Sequence, residues 1–348
     1  MRAYRLLEWG RPAELVDIPV PAPDDGQILV RVAGNGLCHS DFDIMRMPAE
    51  IGPLLGWQTP FTIGHESAGW VEAVGRGVTK VTPGDAVALL SPQSCGACEF
   101  CVRGHDSACP NGSAGRGYGT DGGLAEYVLA GAEREVIKLG NVDPTVAGPL
   151  TDAGATAYHA VSRVRAKLGP GSTAVVLGAG GLGSFAIQFL RVLSPARVVA
   201  VDNNPSRLDF ARELGAHVTL AGVDDSTTAQ LLELTGAQGA HAVIDFVGID
   251  ASIGAGLAAV RRTGAFVLVG AAGGTFRGPW YGGLPREADI IHFQGSTIAH
   301  LQEVVALAEA GLVRSEVDRF ALDGVEDAYR ALDEGRLRGR AVVIPSHP

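Results

Sequence analysis

Four of the five cysteines in this chain, Cys95, Cys98, Cys101 and Cys109, crowd into the stretch SCGACEFCVRGHDSACP. Their spacing, C-x2-C-x2-C-x7-C, lets four thiolates converge on one ion, the donor set of a closed tetrahedral zinc site. Cysteines two residues apart reach a common ion across a turn, and Gly96 makes that turn easy. Unliganded thiols on a loop would be an oxidation liability, so the spacing favours metal. A closed site leaves no position for a substrate. It staples a loop and contributes folding free energy, on the order of 10 kcal/mol in small zinc peptides. His105 lies in the same loop, but four cysteines fill the shell, so it is expected at the surface. Chemistry needs a second, open site. Cys38 in GLCHSD and His65, with Glu66 beside it in IGHESAG, supply the ligand types for one.

A second constellation lies near the middle of the chain. LGAGGLG places Gly178, Gly180 and Gly183 as G-x-G-x-x-G, with Gly181 and Leu182 between them. The run STAVVLG before it reads as a strand and SFAIQFLRVL after it as a helix, the context this motif needs. The first glycine permits the tight turn, the second lets backbone approach a pyrophosphate, and the third lets helix pack on strand. The helix start offers free amides and a partial positive charge to phosphates. The next strand ends at Asp202, whose carboxylate can hold a ribose diol and would repel a 2′-phosphate, favouring NAD over NADP. Arg207 is either a stacking partner for the adenosine or an exposed helix arginine.

The run from about 170 to 270 alternates apolar strands with helices, the signature of a doubly wound parallel sheet. A helix is expected over 250–264, and strands over 172–178, 197–202, 217–221, 241–248 and 265–270. Residues 1 to about 150 read as short strands punctuated by Gly, Pro and Asp. After 290 two helices, LQEVVALAEAG and GVEDAYRALDEG, lead to a closing strand, RAVVIP.

The stretch GHESAGWVEAVGRGV follows G-H-E-x-x-G-x5-G-x2-V. With CHSD upstream, the four-cysteine lobe and the glycine motif, the chain resembles the zinc-dependent alcohol dehydrogenases of the medium-chain dehydrogenase/reductase family, bacterial secondary-alcohol type. The resemblance covers nearly the whole chain in the same motif order. It implies an α/β protein with a GroES-like catalytic domain, 1–151 and 291–348, carrying a structural zinc lobe at 93–112. A Rossmann NAD-binding domain, 152–290, interrupts it, and the active site is expected in the cleft between the two.

The resemblance further implies a catalytic zinc held by Cys38, His65 and Asp152, the last in PLTDAGATAYHA where liver and yeast types carry cysteine. Glu66 is either a transient fifth ligand or a group behind the ligands, and Asp41 orients a ligand. Ser40 is the hydroxyl relay for the alcohol proton. Liver and yeast types end that relay in a histidine where this chain has Asp43, so either His39 or Asp43 ends it here. Thr156 matches a nicotinamide contact and Arg338 an arginine reaching the pyrophosphate. Val269 is carried over as a further cofactor contact. Phe42, Met45, Leu55 and Trp57 flank the metal motifs, as pocket walls or as core.

With 348 residues, two domains are expected. The formal net charge of −10 opposes binding to nucleic acid or anionic membranes. No apolar run has signal-peptide or membrane-span length, so a cytoplasmic enzyme is expected. The expected function is hydride transfer between NAD(H) and a secondary alcohol and its ketone, small to medium or aryl, with two zinc ions per chain. A polyol or amino-alcohol dehydrogenase of the same family and a non-catalytic NAD sensor are the alternatives. The family resemblance implies a homodimer or homotetramer.

Overall fold

The structure, a computed structural model, describes residues 1–91, 93–112 and 114–345. The chain divides into two units, Met1–Ala155 with Gly295–Pro348, and Thr156–Gln294. Both divisions fall four residues beyond the limits 151/152 and 290/291 read from the sequence. The helix Ala153–Val164 starts within the first unit because the 3-10 turn Gly148–Leu150 leading into it is buried there.

The first unit is built on a seven-stranded sheet. Its long central strands, Ile28–Gly36 and Glu66–Val74, pair antiparallel along their length, and Gly36 stands opposite Glu66. Cys38 lies just past the end of the first strand and His65 just before the start of the second, at the same end of the pair. Strand register alone therefore brings thiolate and imidazole to the same edge. The closing strand Arg340–Ile344 pairs with Ile28–Gly36 near Gly36, delivering Arg340 to that edge. It also pairs with a strand not evident in the sequence, Val317–Ala321. That strand's alternating partial exposure gives no continuous apolar run to read.

The third approach to this edge depends on glycine. A Cβ at Gly148 would meet the carbonyl oxygens of Glu66 and Gly34. The turn Gly148–Leu150 thus lies directly on the two strands, and Thr151 Oγ1 donates to Gly148 O at 2.7 Å. Asp152 follows, directed over the strand ends by this packing.

The second unit carries six parallel strands in the order Val218–Ala221, Arg197–Asp202, Thr173–Leu177, Ala240–Asp245, Val260–Leu268, Asp289–His292. The order reverses beside the first strand in sequence, as in Rossmann sheets. Val175, Val199, Val243 and Phe266 form its sealed centre, which is why these strands read as apolar runs. The helix expected over 250–264 instead ends at Ala259, and Val260–Leu268 is strand. A register shift between Ala240 and Ala242 lets Val260 join the sheet early, so pairing overrides the helical pattern. Among the described residues no helix is long and apolar enough to cross a membrane.

Candidate active site and metal centres

Cys38, His65, Glu66 and Asp152 each present one ligand atom, and these four atoms lie within 4.8 Å of one another. His65 and Glu66 are buried, whereas Cys38 and Asp152 are partly exposed, so the group opens on one side. His65 Nδ1 sits 3.1 Å from Asp41 Oδ1, close enough for ion pairing though not aligned as a hydrogen bond. A proton on Nδ1 leaves Nε2 with its lone pair free, and Nε2 points to Asp152 Oδ2 at 3.5 Å. Asp41 Oδ2 accepts from the Cys38 amide at 3.0 Å and from the Tyr329 hydroxyl at 3.1 Å. One buried carboxylate thereby steadies two of the four donors.

The donors fit a divalent cation. Glu66 Oε2 is buried with no hydrogen-bond partner, an expensive state that a cation would relieve. The other Glu66 oxygen pairs with Arg340, and a Cβ at Gly36 would collide with the carboxylate. Burial pushes the Glu66 carboxyl up to about 7, while the Arg340 guanidinium works against it. Burial pushes the His65 imidazole down, but Tyr118, Asp41 and Asp152 outweigh it and hold it well above its ordinary value. A cation here therefore competes with a proton.

Ser40 is half-buried, and its Oγ lies 2.9 Å from the Tyr118 hydroxyl, which lies 3.3 Å from His65 Nε2. His39 and Asp43 are exposed on the helix His39–Met45. Tyr118 lies tilted against His65 with ring centroids 4.7 Å apart, and the Trp57 ring is 6.1 Å from that of Tyr118. Phe42 packs edge-on against Tyr329, Met45 is half-buried beside the same core, and Leu55 is exposed. Sequence reasoning missed Tyr118, Tyr329 and Arg340. Only Arg340 left a trace, as a charge opening an apolar strand.

The four lobe sulfurs also lie within 4.8 Å of one another. Cys95 and Cys101 Sγ are 4.0 Å apart, and Cys98 and Cys109 Sγ 3.9 Å. A tetrahedron with zinc–sulfur bonds of about 2.3 Å has edges of about 3.8 Å, so the cage has zinc's size. The helix Glu99–Val102 places Cys98 and Cys101 on one turn, and Gly96 takes φ +76° between Cys95 and Cys98. Donation from Asn111 Nδ2, then from backbone amides, pulls the Cys95 thiol down to about 5, favouring thiolate. Arg134 ties the lobe down, reaching Asp106 Oδ1 at 2.8 Å and Ser94 O at 2.5 Å. His105 is exposed.

In the second unit Gly178 ends its strand with φ +86°, and Gly180 precedes the helix Gly181–Leu193. A Cβ at Gly183 would run into the Gly178 carbonyl oxygen. Gly183→Ala is therefore expected to destabilise this unit by about 1–3 kcal/mol through overpacking, read as a lower denaturant midpoint. A Cβ at Gly180 would meet the Arg207 guanidinium at 3.8 Å, ordinary contact, so this turn has room above it. Asp202 is buried. Its oxygens accept from the amides of Ala179 and Asn204, both at 2.8 Å, and Arg207 Nη1 is 3.9 Å from Oδ1. The carboxylate thus fixes the glycine turn. The Val269 amide donates to Asp245 O, Thr156 is buried in its helix, and Arg338 is exposed with its amide on Asp318.

Residues 24–141 match the alcohol dehydrogenase GroES-like domain, and 181–310 the zinc-binding dehydrogenase domain. A NAD-dependent alcohol dehydrogenase of Sulfurisphaera tokodaii is 33% identical over 99% of this chain and all of its own. A D-arabinose 1-dehydrogenase (NADP(+)) of Saccharolobus solfataricus is 30% identical over 99% of this chain and 97% of its own. The crystal structure of an alcohol dehydrogenase from Aeropyrum pernix superposes with TM-score 0.91 at 35% identity, covering 99% of this chain and all of that one. The chain belongs to the zinc-dependent alcohol dehydrogenases of the medium-chain dehydrogenase/reductase family.

Proposed function

We propose that this enzyme transfers hydride between NAD(H) and a secondary alcohol and its ketone, small to medium or aryl. The observation that carries this is the partly exposed set of Cys38, His65, Glu66 and Asp152 donors within 4.8 Å of one another. Cys38, His65 and Asp152 hold the catalytic zinc in this reading, and Cys95, Cys98, Cys101 and Cys109 a structural one. Zinc supplies a Lewis acid at the alcohol or carbonyl oxygen, and the nicotinamide ring supplies the hydride acceptor or donor. Glu66, paired with Arg340, balances charge behind the ligands. Ser40 takes the alcohol proton, and His39 or Asp43 passes it to solvent. Gly178, Gly180, Gly181, Leu182 and Gly183 cradle the pyrophosphate and Arg207 flanks it. Thr156, Val269 and Arg338 are further proposed contacts. A homodimer or homotetramer is proposed from family membership alone.

The aromatic pair Trp57 and Tyr118 beside His65 supports an apolar substrate body. The reduction of NAD is followed by absorbance across a panel of secondary, primary and polyhydric alcohols. Secondary alcohols are expected to lead primary ones by about 10-fold or more, the usual reach of apolar pocket discrimination. The arabinose-oxidising relative favours a second reading, a polyol dehydrogenase. Faster oxidation of polyhydric alcohols would establish that reading instead.

Cofactor choice rests on Asp202. NAD is expected over NADP by about two orders of magnitude in kcat/KM, since like-charge contact costs several kcal/mol. Asp202→Gly should narrow that ratio at least about tenfold, with Arg207 left to meet the 2′-phosphate. An unchanged ratio in the variant would remove Asp202 from the selection.

A further inference from the structure

A cavity lies at the opposite ends of the Rossmann strands from the glycine turn. The strand Thr173–Leu177 starts at this cavity and ends at Gly178, so the two places are separated by roughly 16 Å of strand. The cavity holds about 520 Å³ and is lined by Arg197, Arg261, His217, His241 and Gln238 among others, with no carboxylate in its wall. Among the described residues no carboxylate lies within ion-pair distance of Arg197 or Arg261.

The two histidines are arranged alike. His217 Nδ1 accepts from the Val198 amide at 2.8 Å, and His241 Nδ1 accepts from the Thr173 amide at 3.1 Å. A ring that accepts at Nδ1 carries its proton on Nε2 and must donate there. Yet His217 Nε2 faces Arg191 Nη1 at 2.8 Å, and His241 Nε2 faces Arg261 Nη1 at 2.6 Å. A neutral imidazole accepts at one nitrogen only, so each ring is offered two N–H donors and leaves one of them without an acceptor. An oxyanion oxygen would accept from the surplus donor. Burial and then Arg191 and Arg197 push the His217 imidazole down, and burial and then Arg261 do the same to His241, as an uncompensated positive field requires.

The backbones of His217 and His241 lie at strands three intervals apart, about 14 Å at the spacing of neighbouring strands. Their rings lean inward over the two middle strands. With a formal net charge of −10, the chain repels polyanions at large, so an anion will settle only where cations are collected.

We infer that this cavity binds a small molecule carrying at least two phosphate-type charges, held by His217 and Arg197 on one side and by His241 and Arg261 on the other. The test is calorimetric titration of the zinc-loaded protein, saturated with NAD so that the glycine turn is filled, using inorganic tripolyphosphate and orthophosphate as probes. Tripolyphosphate is expected to bind with Kd below about 1 mM at low salt. Orthophosphate is expected to bind at least about tenfold more weakly, having one anionic centre for two donor pairs. Arg197→Gln with Arg261→Gln should weaken tripolyphosphate about tenfold or more while alcohol oxidation is kept. The single variant Arg197→Gln, at an exposed position, serves if the double variant does not fold. Absence of tripolyphosphate binding, equal binding of orthophosphate, or affinity unmoved by the substitutions would each overturn the assignment.

Discussion

Cys38→Ser is expected to lower kcat/KM for alcohol oxidation by about three orders of magnitude or more. Lewis-acid stabilisation by a metal is worth several kcal/mol, and each 1.36 kcal/mol is a factor of ten. The same substitution should take bound zinc from two ions per chain to one, because the two donor clusters share no residue. Stability should change little. Cys38 is partly exposed, and the Asp41 contacts to the Cys38 amide and to Tyr329 do not involve its sulfur. Metal content by atomic emission, melting temperature and rate together make the test. Retained activity with one zinc lost would show that the open cluster is not the reaction centre. The pH dependence has a definite sign. Burial lowers the metal-free His65 imidazole, but Tyr118, Asp41 and Asp152 together raise it above its ordinary value, so a proton competes with zinc for this ring. Zinc must displace that proton, and occupancy of the open site should fall as pH falls.

Removing the four-cysteine site should act on stability rather than on chemistry. Cys95→Ala with Cys98→Ala leaves the lobe tied by Arg134 to Asp106 and Ser94, and by Asp106 Oδ2 accepting the Ile298 amide at 3.2 Å. Those polar ties are partly exposed and worth little beside a thiolate–zinc cage. A loss of about 3 kcal/mol corresponds to a fall in Tm of about 6–12 °C for a unit of this size. Protease should then cut within 93–112 before the rest of the chain, since local opening exposes that backbone first. A variant that keeps its Tm and resists cleavage there would mean that the cage is not a staple.

The sites differ in how much of them the sequence displays. The cysteine lobe is almost fully legible, because its donors are separated by single turns and short-range geometry sets their convergence. The glycine turn is legible for the same reason, with the added cue of strand and helix on either side. The open site is legible in parts. Cys38 and His65 stand out by type, but Asp152 came from resemblance to a family and not from spacing. Arg340, Tyr329 and Tyr118 were not legible, since each arrives from a distant element with no motif around it. The helix read through Val260 failed because a helical pattern and a sealed parallel strand look alike over a short apolar run.

Residue types and local spacing, then, determined a cysteine cage, a tight glycine turn and a strand–helix alternation, all features whose geometry closes within a few residues. What brings Cys38, His65, Glu66 and Asp152 together is the register of Ile28–Gly36 on Glu66–Val74 and the close seating of Gly148 on both. The facing donor pairs at the far ends of the Rossmann strands depend likewise on strand order. Register and order are set by burial of apolar faces along whole strands, so residues distant in the chain meet only once that burial is complete.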